Sequence, residues 1–320
     1  MTISARALNR ATLSRQLLLA REPLTAAEGV RRVVALQAQH PASPYIALWN
    51  RLTDFTPADG EELVARVVEF TRTPRSSAEM QAWLAELYGA ERKDAVWWGM
   101  KAYAPLHHVP TGPPWSFGAR ATFVAAGEGP APRGRTVDQE ALRTLILRYL
   151  AGFGPASVAD VAQFSMVGRA PVRAALAAMA DEVERLEGPD GEALFDLPDA
   201  PRPDGGTPAP ARLMAMWDST LLAYADRGRV IPPEYRPLVI RRNGDVLPTL
   251  LVDGRVAGVW RPTAEGVEAT AFHPLPAAGW DELGAEAKAL TAFLGARERT
   301  VYSRYHHWWA ELPDAEVRTL

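Results

Sequence analysis

Apolar positions recur at helical spacing through the first two thirds of the chain and give way to short continuous apolar runs near residue 240. Leu13, Leu17 and Ala20 predict a first helix from about Arg6 to Arg21, which Pro23 ends. Thr25-Ala-Ala-Glu28 has the form of a capping box and opens a second helix, with Val30, Val33 and Val34 as its apolar stripe. Pro41 and Pro44 break the chain, and Ile46 to Leu52 resumes the spacing. Short helices joined by tight turns suit a helix-turn-helix or winged-helix unit. Glu61 to Phe70, Ala78 to Leu87 and Asp94 to Tyr103 read as helical. Pro105 to Phe117 reads as a loop rich in Pro, His and Gly, and Ala119 to Ala126 as a short strand.

Past the linker Gly127 to Gly134 the order of elements is clearest. Thr136 to Gln139 is a second capping box, and Leu142, Leu145, Ile146 and Tyr149 form a stripe that Gly152 and Gly154 stop. Ser157 caps a short helix. Gly168 and Pro171 open a third, which should bury Val172, Leu176, Met179 and Val183. Glu184 to Glu187 and Ala193 to Leu197 then form a hairpin turning through Gly188-Pro-Asp-Gly191. Helix, helix, helix, hairpin is the winged-helix order. Pro201 to Pro210 is a further linker.

Beyond it the period shortens. Leu238 to Arg242 and Val246 to Val252, joined by Asn243-Gly244, read as a hairpin, followed by strands at Arg255 to Trp260 and Val267 to Phe272. Trp280 to Leu312 is helical with a break at Gly295. The expected class is α+β. Tandem winged-helix units occupy 1–135 and 136–200, and 211–320 holds a small β-barrel or curled sheet with closing helices.

Composition narrows the function. The 320 residues are 48% hydrophobic and 23% charged, as in ordinary globular proteins, and no apolar run has transmembrane length. With no cysteine there is no disulfide and no Cys-held zinc or iron–sulfur cluster. The N-terminus lacks a secretory pattern, so a cytoplasmic protein without membrane attachment is expected. His107 and His108 have no further ligand at metal spacing and read as structural or solvated. No phosphate loop, nucleophile elbow or zinc-protease signature occurs. Neither metal nor cofactor is expected.

The net charge of -3 argues against a generic polyanion binder. Local basic faces remain open. Arg169 and Arg173 begin the third helix of the 136–200 unit, where a DNA-reading fold places its contacts. Arg227, Arg229, Arg241 and Arg242 form a basic run.

One polar pair stands out, Gln37 and Gln39 in Val34-Ala-Leu-Gln-Ala-Gln-His-Pro41. Pro41 disfavours helical geometry at His40, so the chain leaves its helix here. Residues two apart share a side only where the backbone is extended or tightly turned. Two amides on one side could hold a water through their carbonyl oxygens. A bare Gln-x-Gln is most often two solvated side chains.

The ordered set of motifs resembles the winged-helix DNA glycosylases of the AlkZ and YcaQ type. The matching stretches are Val34 to Pro41 with Ala47-Leu-Trp-Asn-Arg51, and Pro105-Leu-His-His-Val-Pro110 with Trp115. Ala211 to Leu222 follows with Asp226-Arg-Gly-Arg229, and then Leu251 to Arg261. The resemblance covers nearly the whole chain. It implies tandem winged-helix units around a concave DNA-binding surface, with Gln37 and Gln39 as the Gln-x-Gln catalytic pair of the AlkZ branch. Arg51 joins the six arginines above as an expected DNA contact. The family usually carries an Arg-Gly-Thr-Leu-His stretch. Here the region reads Phe70-Thr-Arg-Thr-Pro-Arg-Ser-Ser77, without the Gly and His and with Pro74 added.

The implied activity is excision of bulky N-alkylated purines, N7-alkylpurines above all, from double-stranded DNA by a monomer. Crosslink unhooking and self-resistance to a DNA-alkylating natural product are its extensions. The competing reading is a non-catalytic winged-helix regulator or drug-binding protein.

Overall fold

The computed structural model describes residues 2–34, 43–53, 55, 73–88, 90, 106–109, 122–125, 139–295, 301–313 and 316–320. The expected helices Glu61 to Phe70 and Asp94 to Tyr103, the linker at Gly127 and the box at Thr136 lie outside them.

Helix α1 (Ala5–Arg15) starts where the Ser4 side chain accepts from Ala7 N–H at 3.1 Å. It is shorter than its apolar spacing suggests, because Leu17 turns out of the helix at φ 55°. Its buried face is unusually polar, since Asn9, Arg10, Thr12 and Arg15 are all buried beside Leu8 and Leu13. Each finds partners distant in sequence. Asn9 donates to the Arg229 and Gly254 carbonyls at 2.7 and 2.8 Å. Arg15 forks onto Asp196 with two 2.7 Å bonds. Arg10 pairs with Asp253. Burial of these groups is tolerable only because their bonds are made.

Helix α2 (Ala26–Val33) carries the capping box expected at Thr25 and Glu28, and α3 (Ser43–Trp49) packs Ile46 and Leu48 into the main core. A small sheet follows, strand β1 (Arg75–Ser76), helix α4 (Ser77–Tyr88), and strands β2 (Leu106–Val109) and β3 (Thr122–Ala125), in the order β1-β3-β2. The stretch 106–109, expected in a loop, is therefore a strand. His108 pairs with Phe123 and its ring lies 4.5 Å from that ring.

Helices α5 (Gln139–Phe153), α6 (Val158–Ser165) and α7 (Arg169–Ala178) precede the hairpin of β4 (Glu184–Glu187) and β5 (Ala193–Asp196). This is the helix-helix-helix-hairpin order read from the pattern. Its core holds Leu142, Ile146, Tyr149, Phe153, Val172 and Leu176. Ser157 and Asp160 make a reciprocal capping box at the start of α6.

The C-terminal part is an antiparallel sheet in the order β10-β9-β8-β7-β6, where β6 is Arg212–Leu213, β7 Thr249–Val252, β8 Arg255–Pro262, β9 Val267–Ala271 and β10 Glu316–Thr319. It is open, not a closed barrel, since β10 and β6 are edges. β8 is buried along most of its length, which explains its unbroken apolar run. A Cβ at Gly258 would lie 2.2 Å from the Thr270 carbonyl, so only glycine allows this approach of β8 to β9.

Leu238 to Arg242 is not a strand. Arg236–Val239 forms the short helix α9 after α8 (Ser219–Leu222), with Pro237 in its first turn. The Asn243-Gly244 turn survives, with Gly244 at φ 89°, but it closes on a single bridge between Ile240 and Val246. Helix α10 (Ala277–Gly295) lays Trp280, Leu283, Ala287 and Leu290 into the core beside the sheet, and a 3-10 segment spans Ser303–Glu311. No helix among the described residues is long and apolar enough to cross a membrane.

Candidate functional site

Gln37 and Gln39 lie outside the described residues, within 35–42. The structure does define both ends from which that segment departs. Upstream, α2 stops at Val33, and Val34 caps it with φ 71° and ψ -48°. Gln16, fully buried, donates its amide to the Gly152 carbonyl at 2.7 Å and to the Val33 carbonyl at 3.4 Å. It thereby ties the end of α2 to the end of α5. Val34 packs against the α5 core so closely that a Cβ on Gly152 would stand 2.6 Å from Val34 Cγ2. Glycine at 152, still within α5, is required by this contact.

Downstream, Ser43 is buried at the start of α3, and its hydroxyl lies 3.1 Å from the Tyr302 hydroxyl. Met216 N–H donates to that same oxygen at 3.3 Å. Burial raises the Tyr302 hydroxyl far above its ordinary range, with Ser43 and Met216 pulling weakly the other way. It stays protonated and keeps its donor. The glutamine segment thus leaves one buried hydrogen-bonded post and returns to another.

The matching motifs at Ala47 to Arg51 and Ala211 to Leu222 meet in space. Arg51 makes two 2.9 Å bonds to the Asp218 carboxylate and a third, 3.1 Å, to Thr220 Oγ1. Neither side chain of the ion pair is exposed. Burial alone would raise the Asp218 carboxyl, but the Arg51 guanidinium and the Thr220 hydrogen bonds outweigh it and hold the group below its ordinary value. Asn50 adds a 2.8 Å bond to the Leu213 carbonyl. Arg51 is thus an internal clasp, and its guanidinium has no surface with which to touch a phosphate.

The other expected DNA contacts divide. Arg169 and Arg173 project from α7 and are exposed, as is Arg242 at its turn. Arg227 is half-buried, and burial with Arg236 nearby lowers its guanidinium from the ordinary value. Its Nε has no hydrogen-bond partner. Arg229 and Arg241 serve the scaffold instead. Arg229 lies 3.8 Å from the centre of the Tyr224 ring, donates to the Pro155 carbonyl at 2.9 Å and stands 3.7 Å from Asp160. Arg241, buried, donates to the Trp308 carbonyl at 3.0 Å and sits over the Trp308 ring. An arginine with such partners inside the protein is poorly placed to release counterions from DNA.

Of the divergent stretch Phe70 to Ser77, the described part has local work. Arg75 pairs with Phe123 across the small sheet. Ser76 and Glu79 bond reciprocally at the start of α4, with Glu79 accepting from Ser76 N–H at 2.7 Å. Among the described residues no group of three or more His, Asp or Glu could hold a metal ion.

Sequence reasoning missed Gln16, Ser43 and Asp218. A signal existed for Gln16, a polar residue three positions past Leu13 on the apolar face of the first helix. Asp218 and Thr220 had the spacing of a helix cap, and Asp218 does accept from Thr220 N–H at 2.9 Å.

The chain belongs to the AlkZ-like DNA glycosylase family, whose model matches residues 30–69 and 58–293. It is similar to an interstrand DNA cross-link repair glycosylase of Streptomyces sahachiroi, 26% identical over 275 residues, covering 76% of this chain and 71% of that protein. Its structure resembles that of Streptomyces sahachiroi DNA glycosylase AlkZ with a TM-score of 0.65 and 21% identity, over 94% of this chain and 99% of that one. At that identity the likeness establishes the fold.

Proposed function

We propose that this protein is a monofunctional DNA glycosylase that removes bulky N7-alkylated purines from duplex DNA, with Gln37 and Gln39 as its catalytic pair. The observation that carries the reading is the family match, which runs through residues 30–69 and so includes both glutamines.

The chemistry suits two amides. An N7-alkylated purine is already cationic and leaves as a neutral base, so no general acid is needed. The sugar develops oxocarbenium character as the bond breaks. Two amide carbonyls can hold a water near C1′ and turn partial negative charge toward the sugar. The reaction asks for no metal and no redox cofactor. A carboxylate would do more for an unactivated base, so Gln-x-Gln points to labile lesions. Attack from the groove does not demand full extrusion of the base.

In this reading the helix-helix-helix-hairpin unit is one of several winged-helix units, 1–135 containing the others, arranged around a concave face. Arg169, Arg173, Arg227 and Arg242 contact phosphates, while Arg51, Arg229 and Arg241 hold the frame. The protein acts as a cytoplasmic monomer. The relative's name, an interstrand DNA cross-link repair glycosylase, supports cross-linked DNA as a further substrate. Self-resistance to a DNA-alkylating compound is the setting we propose.

Duplex DNA carrying a single N7-alkylguanine provides the test. Enzyme-dependent abasic sites at the lesion, and none at unmodified guanine, are the expected result. Tight lesion binding without abasic sites would make the protein a binding module.

A further inference from the structure

Met166 breaks two rules at once. It is 94% exposed, and it adopts the left-handed conformation at φ 57°, ψ 23°. The other exposed large apolar residues among those described, Trp83 and Val317, are only 49% and 54% exposed, and this backbone conformation favours Gly or Asn. Local rules are broken together mostly where function needs it.

The residue crowns the turn between α6 and α7, and the turn is braced. Ser165 Oγ donates to the Val161 carbonyl at 2.7 Å and accepts from Val167 N–H at 3.3 Å. Below it, Gln163 donates to the Tyr224 carbonyl at 3.0 Å, and Asp160 accepts from Ala225 N–H at 2.8 Å. Helix α7 is seated by Val172 and Leu176. The methionine thus stands on a rigid support.

The helix that follows it opens with two exposed arginines. Arg169 and Arg173, one helical turn apart on α7, are exposed and have no carboxylate within ion-pair reach among the described residues. An exposed apolar tip in the turn leading into a helix with two exposed arginines that have no carboxylate partner among the described residues fits an anionic polymer with an apolar interior, which is duplex DNA. Unbranched and polarisable, methionine is among the side chains that insert between base steps and unstack them.

We propose that Met166 is an apolar wedge that enters the base stack while Arg169 and Arg173 grip the flanking phosphates. The inference rests on the DNA-acting reading above and extends it to how the duplex is opened. A wedge of this kind unstacks base steps without hydrogen-bonding to base edges, as suits a protein that seeks lesions.

The test uses the full chain and a duplex with 2-aminopurine, whose fluorescence rises on unstacking. Met166→Asn is the principal variant, because asparagine tolerates the left-handed conformation and the turn keeps its fold. Wild-type protein should raise the fluorescence. Met166→Asn should abolish the rise and weaken binding roughly tenfold, the value of burying most of a methionine side chain. Its dependence of affinity on salt should not change. Met166→Leu should restore the signal. Arg169→Ala and Arg173→Ala should each lower the salt slope by about 1.

Excision from N7-alkylguanine DNA is scored in the same samples. Met166→Asn behaving as wild type in fluorescence and affinity overturns the wedge and leaves the glycosylase reading standing. A Met166-dependent signal without abasic sites upholds the wedge and removes the catalytic reading. A wild-type protein that binds no duplex overturns both.

Discussion

Arg51 and Asp218 face each other through two parallel 2.9 Å hydrogen bonds, with neither side chain exposed. The pair joins the end of α3 to the start of α8, across 167 positions of sequence. Asp218→Asn leaves the guanidinium buried without its counterion. A loss of about 3–5 kcal/mol is expected, seen as a lower urea midpoint at unchanged slope. An unshifted midpoint would show that the site relaxes or admits water.

The same carboxylate gives an acid limb to the stability curve. Its folded value lies below the ordinary 3.8, so its contribution is complete above that value and is lost as pH falls through the folded one. Wild-type stability should therefore drop more steeply below about pH 4 than that of Asp218→Asn. Melts from pH 6 to 2.5 would show parallel curves if Asp218 did not titrate.

Gly152→Ala should disturb the glutamine segment from a distance. Its new Cβ meets Val34 Cγ2 at 2.6 Å and the Val33 carbonyl at 3.4 Å. Overpacking of this kind costs about 1–3 kcal/mol. Single-turnover excision should fall by more than the folded fraction does, because Val34 leads directly into residues 35–42. Unchanged excision in the folded fraction would separate this contact from the chemistry.

Gln37→Ala and Gln39→Ala should each slow excision roughly a hundredfold and leave lesion-DNA affinity nearly intact, as expected for a lost polar contact in a dry site. Melting temperature and affinity are measured beside single-turnover rates. Parallel loss of stability, binding and activity would assign the glutamines to holding the chain.

Salt dependence should sort the arginines. Arg242→Ala should reduce the slope of log affinity against log salt by about 1. Arg241→Ala should lower stability, since it strips Trp308 of a hydrogen-bonded cation, and leave that slope unchanged. Equal slopes for both variants would place the DNA elsewhere.

From Gln139 to Asp196 the order of elements was legible, because the cap at Ser157, the apolar stripes and the hairpin turn all agree. Leu238 to Arg242 misled because Val239 and Ile240 favour strands, while Pro237 preorganises a helical turn and won locally. β10 was missed because its strand character comes from pairing with β9, a partner some fifty positions away. The motif at Ala47 to Arg51 was recognisable, but the role of Arg51 was not. A lone arginine on a helix reads as surface charge until Asp218 is found opposite. Gln37 and Gln39 were visible as a pattern, and the buried posts at Gln16 and Ser43 emerge only from the fold.

Helix α1 is held by residues nearly two hundred positions away on one side and nearly two hundred and fifty on the other, through Arg15 to Asp196 and Asn9 to Gly254. It belongs equally to the three-helix unit and to the sheet. Excising either as an independent fragment would strand its polar face without acceptors. Separate melting of the two halves is correspondingly disfavoured, and heating should give one calorimetric transition with matching van't Hoff enthalpy. Such long closures also make folding slow relative to helical bundles of comparable stability. A short α-helix that looks peripheral in the sequence thus acts as the dowel that makes the molecule one cooperative body.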